Sequence, residues 1–198
     1  MGQLIAVIGA SGVGKTALVR ALARAYPFET RYESHVERPF QAHFKRDVRY
    51  ALANQIDYLL LRAEQERELR ASGGPGLLDG GLDLDFHGFT RLFHSRGLLS
   101  GAEFDLCHRF YTHTRELLPP PELFVRLCAD ELTIADRLAS RDRINIASPA
   151  DSLLFNAGLD EWLATVPSHN LLELNVSHET LTYERSVGLV LDKIQHLP

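Results

Sequence analysis

Residues 4–26 read LIAVIGASGVGKTALVRALARAY, an apolar run, a glycine-rich loop and a helical pattern in immediate succession. This feature constrains the fold most. The loop fits the pattern G-x-x-x-x-G-K-[ST], in which backbone N–H groups turn inward onto phosphate oxygens. Gly9, Ala10, Ser11, Gly12, Val13, Gly14, Lys15 and Thr16 are the expected nucleotide-binding residues. Lys15 reaches the β- and γ-phosphates in such a loop, and the Thr16 hydroxyl binds Mg²⁺. A helix beginning here adds the positive end of its dipole beneath the phosphates. The loop establishes nucleotide binding. It leaves the reaction open, since kinases, GTPases, motors and ATPases share it.

The chain has 198 residues, enough for one α/β domain with a sizeable core. Its net charge of −5 argues against a general nucleic-acid binder, which is usually basic. With no run of about 18 apolar residues, no membrane-spanning helix is expected. With a strand and the loop so close to Met1, no signal peptide is expected, and Cys107 and Cys128 lack metal or redox spacing. A cytoplasmic protein with reduced thiols is the expectation.

Further along, YPFETRYES carries an expected second strand ending near Glu33, and a long helical pattern runs from about Asp47 to Arg70. LLDGG reads as a third buried strand ending at Asp79. Helices are expected at about 86–96 and 101–116, the second opened by a capping box of Ser100 and Glu103. LFVRLC reads as a fourth strand, DELTIADRLASRDR as a helix, HNLLELNV as a fifth strand and 177–197 as a closing amphipathic helix. Strands alternating with helices predict a five-stranded parallel sheet with helices on both faces, in one domain over 1–198.

Three positions bear on the reaction. Ligands gather at the carboxyl ends of parallel strands. Glu33, there, could take the proton from an attacking hydroxyl, or be a solvated loop residue. Arg137, Arg141 and Arg143 suit a lid over about 137–150 that spreads positive charge along a transferring phosphoryl, or a basic face at a helix C-terminus. Asp79, at the tip of a buried strand, stands where Mg²⁺ is held in phosphoryl-transfer enzymes, or caps a turn.

In this order these features resemble the deoxynucleoside kinase family, over most of the chain. Tyr32–Glu33 is similar to the family's tyrosine–glutamate pair, with Arg38–Pro39 in place of a following asparagine–proline. FKRDVRYALANQIDYLLLR supplies Phe44, Asp47, Arg49 and Gln55 for the family's aromatic, aspartate, arginine and glutamine, and Arg62 for its arginine seven residues after the glutamine. Asp79 and Asp85 keep the spacing of two family acids, and HSRGLLSGAEF and PPPELF look like later family motifs. The resemblance implies a three-layer P-loop kinase fold with an arginine-rich lid. It implies γ-phosphate transfer from ATP, with Mg²⁺, to the 5′-hydroxyl of a (deoxy)nucleoside. Glu33 would be the general base, Gln55 would read the nucleobase, and Arg62 and Asp85 would contact the base edge. Lys15, Arg137, Arg141 and Arg143 would stabilise the phosphates. Family members pair through the helices around 47–70 and 86–116, so a homodimer is implied, or a heterodimer with a related chain.

The chain departs from the family in the sugar clamp. The family arginine after the strand-three acid is Gly80 here and the next serine is Gly81. A substrate-binding tyrosine is replaced by Phe44, and a lid glutamate falls near Ile146. His35, Glu37 and Asp83 are the candidates to fill in. These departures leave two other readings: a kinase with a different acceptor, such as a nucleoside monophosphate, or a non-catalytic nucleotide-binding subunit.

Overall fold

A computed structural model describes residues 2–32, 37–139, 149–180 and 182–197. Glu33, His35, Arg141, Arg143 and Ile146 lie outside the described residues. Five strands, β1 Leu4–Ile8, β2 Glu29–Arg31, β3 Gly76–Asp79, β4 Leu123–Cys128 and β5 Leu171–Asn175, form one parallel sheet in the order β2-β3-β1-β4-β5. The predicted strands are all present.

β1 shows why its sequence is a continuous apolar run. Ile5 and Val7 pack to one side against Leu18 and Leu22 of α1 (Lys15–Ala25) and Val190 of α9 (Glu184–Gln195). Leu4, Ala6 and Ile8 pack to the other side against Leu159 and Trp162 of α8 (Pro149–Leu163). A central parallel strand is buried on both faces, so the alternation of a half-exposed strand is lost.

The helix expected from about Asp47 to Arg70 is present and becomes α-helical at Ala51. A short α2 (Pro39–Phe44) and a 3₁₀ turn (Val48–Tyr50) precede α3 (Ala51–Ser72). Asp47 starts the 3₁₀ turn, because its side chain accepts from the Arg49 N–H at 2.9 Å and caps it. After β3 come α4 (Leu82–Leu84), a π-helix (Asp85–Thr90) and α5 (Arg91–Ser95). α6 (Gly101–Leu117) opens with the predicted capping box, in which Ser100 and Glu103 each bond the other's backbone N–H. α7 is Glu131–Ala139, and most of the expected lid, residues 140–148, lies outside the described residues. α8 has no counterpart among the elements expected from sequence. Its Leu153 and Leu154 are exposed while Phe155, Leu159 and Trp162 are buried, which blurs the helical period.

The arrangement brings the carboxyl ends of β1, β2 and β3 side by side. Val7 lies opposite Asp79, and Arg31 opposite Leu78. The glycine loop, the segment after β2 and the tip of β3 therefore share one edge of the sheet.

Candidate active site

The loop from Gly9 to Thr16 runs from β1 into α1, with Gly14 as the N-terminal cap at φ 112°. That left-handed backbone excludes most side chains. A Cβ on Gly14 would also stand 2.1 Å from the hydroxyl of Tyr183, so the position is glycine for two reasons. Lys15 is buried, and its ammonium donates to the carbonyls of Gly9 at 2.9 Å and Ala10 at 3.1 Å. Arg137, from α7, donates to the carbonyls of Val13 at 2.6 Å and Val176 at 2.9 Å. It thus ties the loop to the chain after β5.

The Thr16 hydroxyl donates to Asp79 Oδ2 at 2.5 Å. Asp79 is fully buried, and its Oδ1 has no hydrogen-bond partner. An unpaired buried carboxylate oxygen is costly unless something else binds it. Beside a hydroxyl and a phosphate-binding loop, this oxygen pair suits a hard divalent cation.

At the tip of β3, Gly80 has φ 95° and a Cβ there would lie 3.3 Å from the Arg62 guanidinium. The space a side chain at 80 would enter is lined by Arg62. An arginine restored at 80 would meet both a strained backbone and a like charge. Arg62 is held by Asp85 at 2.9 Å, by Gln65 Oε1 at 3.1 Å and by the Asp79 carbonyl at 3.3 Å. Gln65 in turn donates to the Tyr32 carbonyl at 3.5 Å, one residue before Glu33. One side of α3 therefore fastens the ends of β2 and β3 together.

The structure brings Arg62 and Asp85 together as a buried ion pair. Gln55 is buried on the same helix and meets Thr90 of the π-helix at 3.0 Å. Phe44 packs against Phe93 with ring centroids 5.1 Å apart and the rings tilted by 32°. Of the candidates to fill the altered clamp, Glu37 is paired with Lys45 at 2.5 Å. Asp83 is buried and committed elsewhere.

That commitment is to a charge network the sequence reading did not find. Arg115 of α6 bridges Glu66 (2.7 and 3.0 Å) and Asp83 (2.6 and 3.1 Å). Glu66 also accepts from the Leu82 N–H, and Tyr111 donates its hydroxyl proton to Asp83 at 2.8 Å. Burial works against the Arg115 charge, but the two carboxylates outweigh it and hold its pKa above the usual value. Burial pushes the Glu66 carboxyl up despite Arg115. Tyr183 and Thr90 were likewise missed. Tyr183 falls inside the helix expected over 177–197, whereas α9 begins just after it, and a lone threonine between Phe89 and Arg91 carries no signal.

A sequence profile described as deoxynucleoside kinase matches residues 5–187. A deoxyadenosine/deoxycytidine kinase of Bacillus subtilis (strain 168) is 24% identical over 202 residues, covering 97% of this chain and 91% of that protein. A deoxyadenosine kinase of Dictyostelium discoideum is 24% identical over 143 residues, 72% of this chain and 58% of that protein. A deoxyadenosine kinase from M. mycoides solved with bound dATP shares the fold, with a TM-score of 0.78 at 16% identity, over 98% of this chain and 100% of that one. Its structure with bound dCTP gives a TM-score of 0.79 at 16% identity, over 98% and 99%.

Proposed function

This chain belongs to the deoxynucleoside kinase family, and from that premise we propose that its acceptors are deoxynucleosides whose base carries an amino group, with MgATP as the donor. As a kinase of this family it moves a phosphoryl group from a nucleotide donor to a nucleoside 5′-hydroxyl. The curated relatives are named for deoxyadenosine and deoxycytidine, both with amino-bearing bases, which supports the choice of acceptor. The observation that carries the donor side is the hydrogen bond between Thr16 and Asp79 at the end of the loop that holds Lys15, with one Asp79 oxygen buried and unpartnered.

Lys15 exchanges its loop carbonyls for the β- and γ-phosphate oxygens and stabilises the charge that develops there. Thr16 and Asp79 would hold Mg²⁺, which neutralises phosphate charge when bound. Glu33 accepts the proton of the 5′-hydroxyl as its oxygen bonds to the γ-phosphorus and the bond to the β-phosphate oxygen breaks. Arg141 and Arg143 would stabilise the phosphates. Arg137 anchors α7 to the loop. Gln55 reads the base, and the Arg62–Asp85 pair stands beside it. Phe44 supplies an apolar surface near the sugar in place of a hydroxyl. Two unpaired thiols, Cys107 and Cys128, fit a reducing cytoplasm. Among the described residues no helix is long and apolar enough to cross a membrane.

The test is turnover with a panel of nucleosides and nucleoside monophosphates, run on the parent and on Glu33→Gln. Nucleosides with amino-bearing bases are the expected substrates. Glu33→Gln keeps the shape of the side chain and removes its basicity, so kcat should fall about 10²–10⁴-fold with little change in KM. Equal turnover by the variant would remove Glu33 from the mechanism. Activity confined to monophosphates would overturn the acceptor.

A further inference from the structure

Thr90 closes the π-helix and is completely buried, and Gln55 across from it is 3% exposed. The Thr90 hydroxyl oxygen lies 3.0 Å from Gln55 Oε1 and 3.1 Å from the Asp85 carbonyl oxygen. A hydroxyl has one proton and cannot donate to both. The Asp85 carbonyl can only accept. The Gln55 amide can present either end, because its oxygen and nitrogen have nearly the same shape. One arrangement satisfies all three groups. Thr90 donates to the Asp85 carbonyl, and the Gln55 –NH₂ donates to the Thr90 oxygen. The reverse leaves two acceptor oxygens facing each other at 3.1 Å with no proton between them, a costly state in a buried site.

The backbone carbonyl thus sets the hydroxyl, and the hydroxyl sets the amide. The free edge of the amide then offers one N–H and one carbonyl oxygen in a fixed order. Adenine and cytosine present an amino group beside a bare ring nitrogen, and pair with one order. Hypoxanthine and uracil present a carbonyl beside a ring N–H, and pair only with the reverse. We propose that Thr90 is a specificity-determining positioning residue, which fixes the Gln55 amide through the Asp85 carbonyl and so selects amino-bearing over oxo-bearing bases. This rests on the reading of Gln55 as the side chain that meets the base.

The experiment measures kcat and KM for deoxyadenosine, deoxyinosine, deoxycytidine and deoxyuridine with the parent, Thr90→Val, Thr90→Ser and Gln55→Leu. Valine keeps the shape of threonine without the hydroxyl and frees the amide to rotate. The ratio of kcat/KM for amino over oxo bases should then fall at least about tenfold, the worth of one hydrogen bond, mainly through KM. Thr90→Ser should keep the parent's ratio. Thr90→Ala gives the same comparison should valine prevent folding. An unchanged ratio in the valine or alanine variant, or a serine variant that fails to keep it, overturns the role of Thr90. If Gln55→Leu alters nucleoside KM in that case, the reading of Gln55 survives. If Gln55→Leu alters neither KM nor the ratio, that reading falls, and the role of Thr90 with it.

Discussion

Single residues in this chain are often held by groups that the sequence places far away. Gly80 is the plainest case, since its left-handed backbone and the Arg62 guanidinium beside it account for the absence of a side chain. His87 is another. Its ring stacks on Trp162 with centroids 4.8 Å apart, and its Nε2 meets the Tyr111 hydroxyl at 3.1 Å. Because Tyr111 gives its proton to Asp83, the hydroxyl oxygen must accept from His87, so the neutral ring carries its proton on Nε2. Nδ1 is buried without a partner. Burial pushes the His87 pKa down to about 4, helped by Arg91, Arg115 and His108 and opposed by Asp83. The unfolded chain takes up this proton near pH 6.5, and the folded chain resists it until about pH 4. The stabilisation is therefore complete above about pH 6.5 and is lost progressively as pH falls toward 4, by about 3 kcal/mol in all. Thermal unfolding at pH 7.5 and pH 5 should show this slope in the parent and a flatter one in His87→Gln. Equal slopes would mean that another group titrates.

At the scale of elements, α3 is the organising piece. Gln55, Leu59, Arg62, Glu66 and Leu69 are all buried, at spacings of four and three residues that place them on one face. That face is polar at three of five positions, and each polar group has a partner from another element: Thr90, Asp85 and Arg115. Removing one member of such a network strands the others. Arg115→Leu would leave Glu66 and Asp83 buried as like charges, and stability should fall by about 3–5 kcal/mol. Chemical denaturation of the two proteins measures this. A loss under about 1 kcal/mol would show that water or protonation compensates. The segment from Leu82 to Thr90 is fixed by the same network, so its positioning of Asp85 and Thr90 depends on α6 as well as on α3.

Over the whole molecule, the two faces of the sheet are covered by different helices, α1 and α9 on one side and α8 on the other. A third cluster packs α3 against α6 through Leu59, Phe86 and Cys107. Outward from this pair, Leu60, Leu106 and Leu117 remain exposed, at 46%, 46% and 68%. Large apolar side chains left open on adjacent helices fit a subunit interface. The chain is expected to be a dimer through α3 and α6, and Leu106→Glu with Leu117→Glu should shift it to monomer in sedimentation. A parent that is monomeric at micromolar concentration would count against the interface.

The strand–loop–helix start, the five strands and the acid at the tip of β3 were legible in the chain by itself. Each is a local pattern, whose meaning is fixed by the few residues around it: apolar runs, glycines at a tight turn, a lysine and a threonine at set spacing. The placing of Gln55, Arg62 and Glu66 was decided only by the tertiary structure. A buried polar residue looks like a surface one in sequence, because what buries it comes from elements 20 to 50 residues away. The same holds for α8, whose apolar residues divide between exposed and buried according to what lies beneath them. It holds for Thr90 as well, whose significance comes from one proton shared among an amide, a hydroxyl and a carbonyl that only the fold brings together.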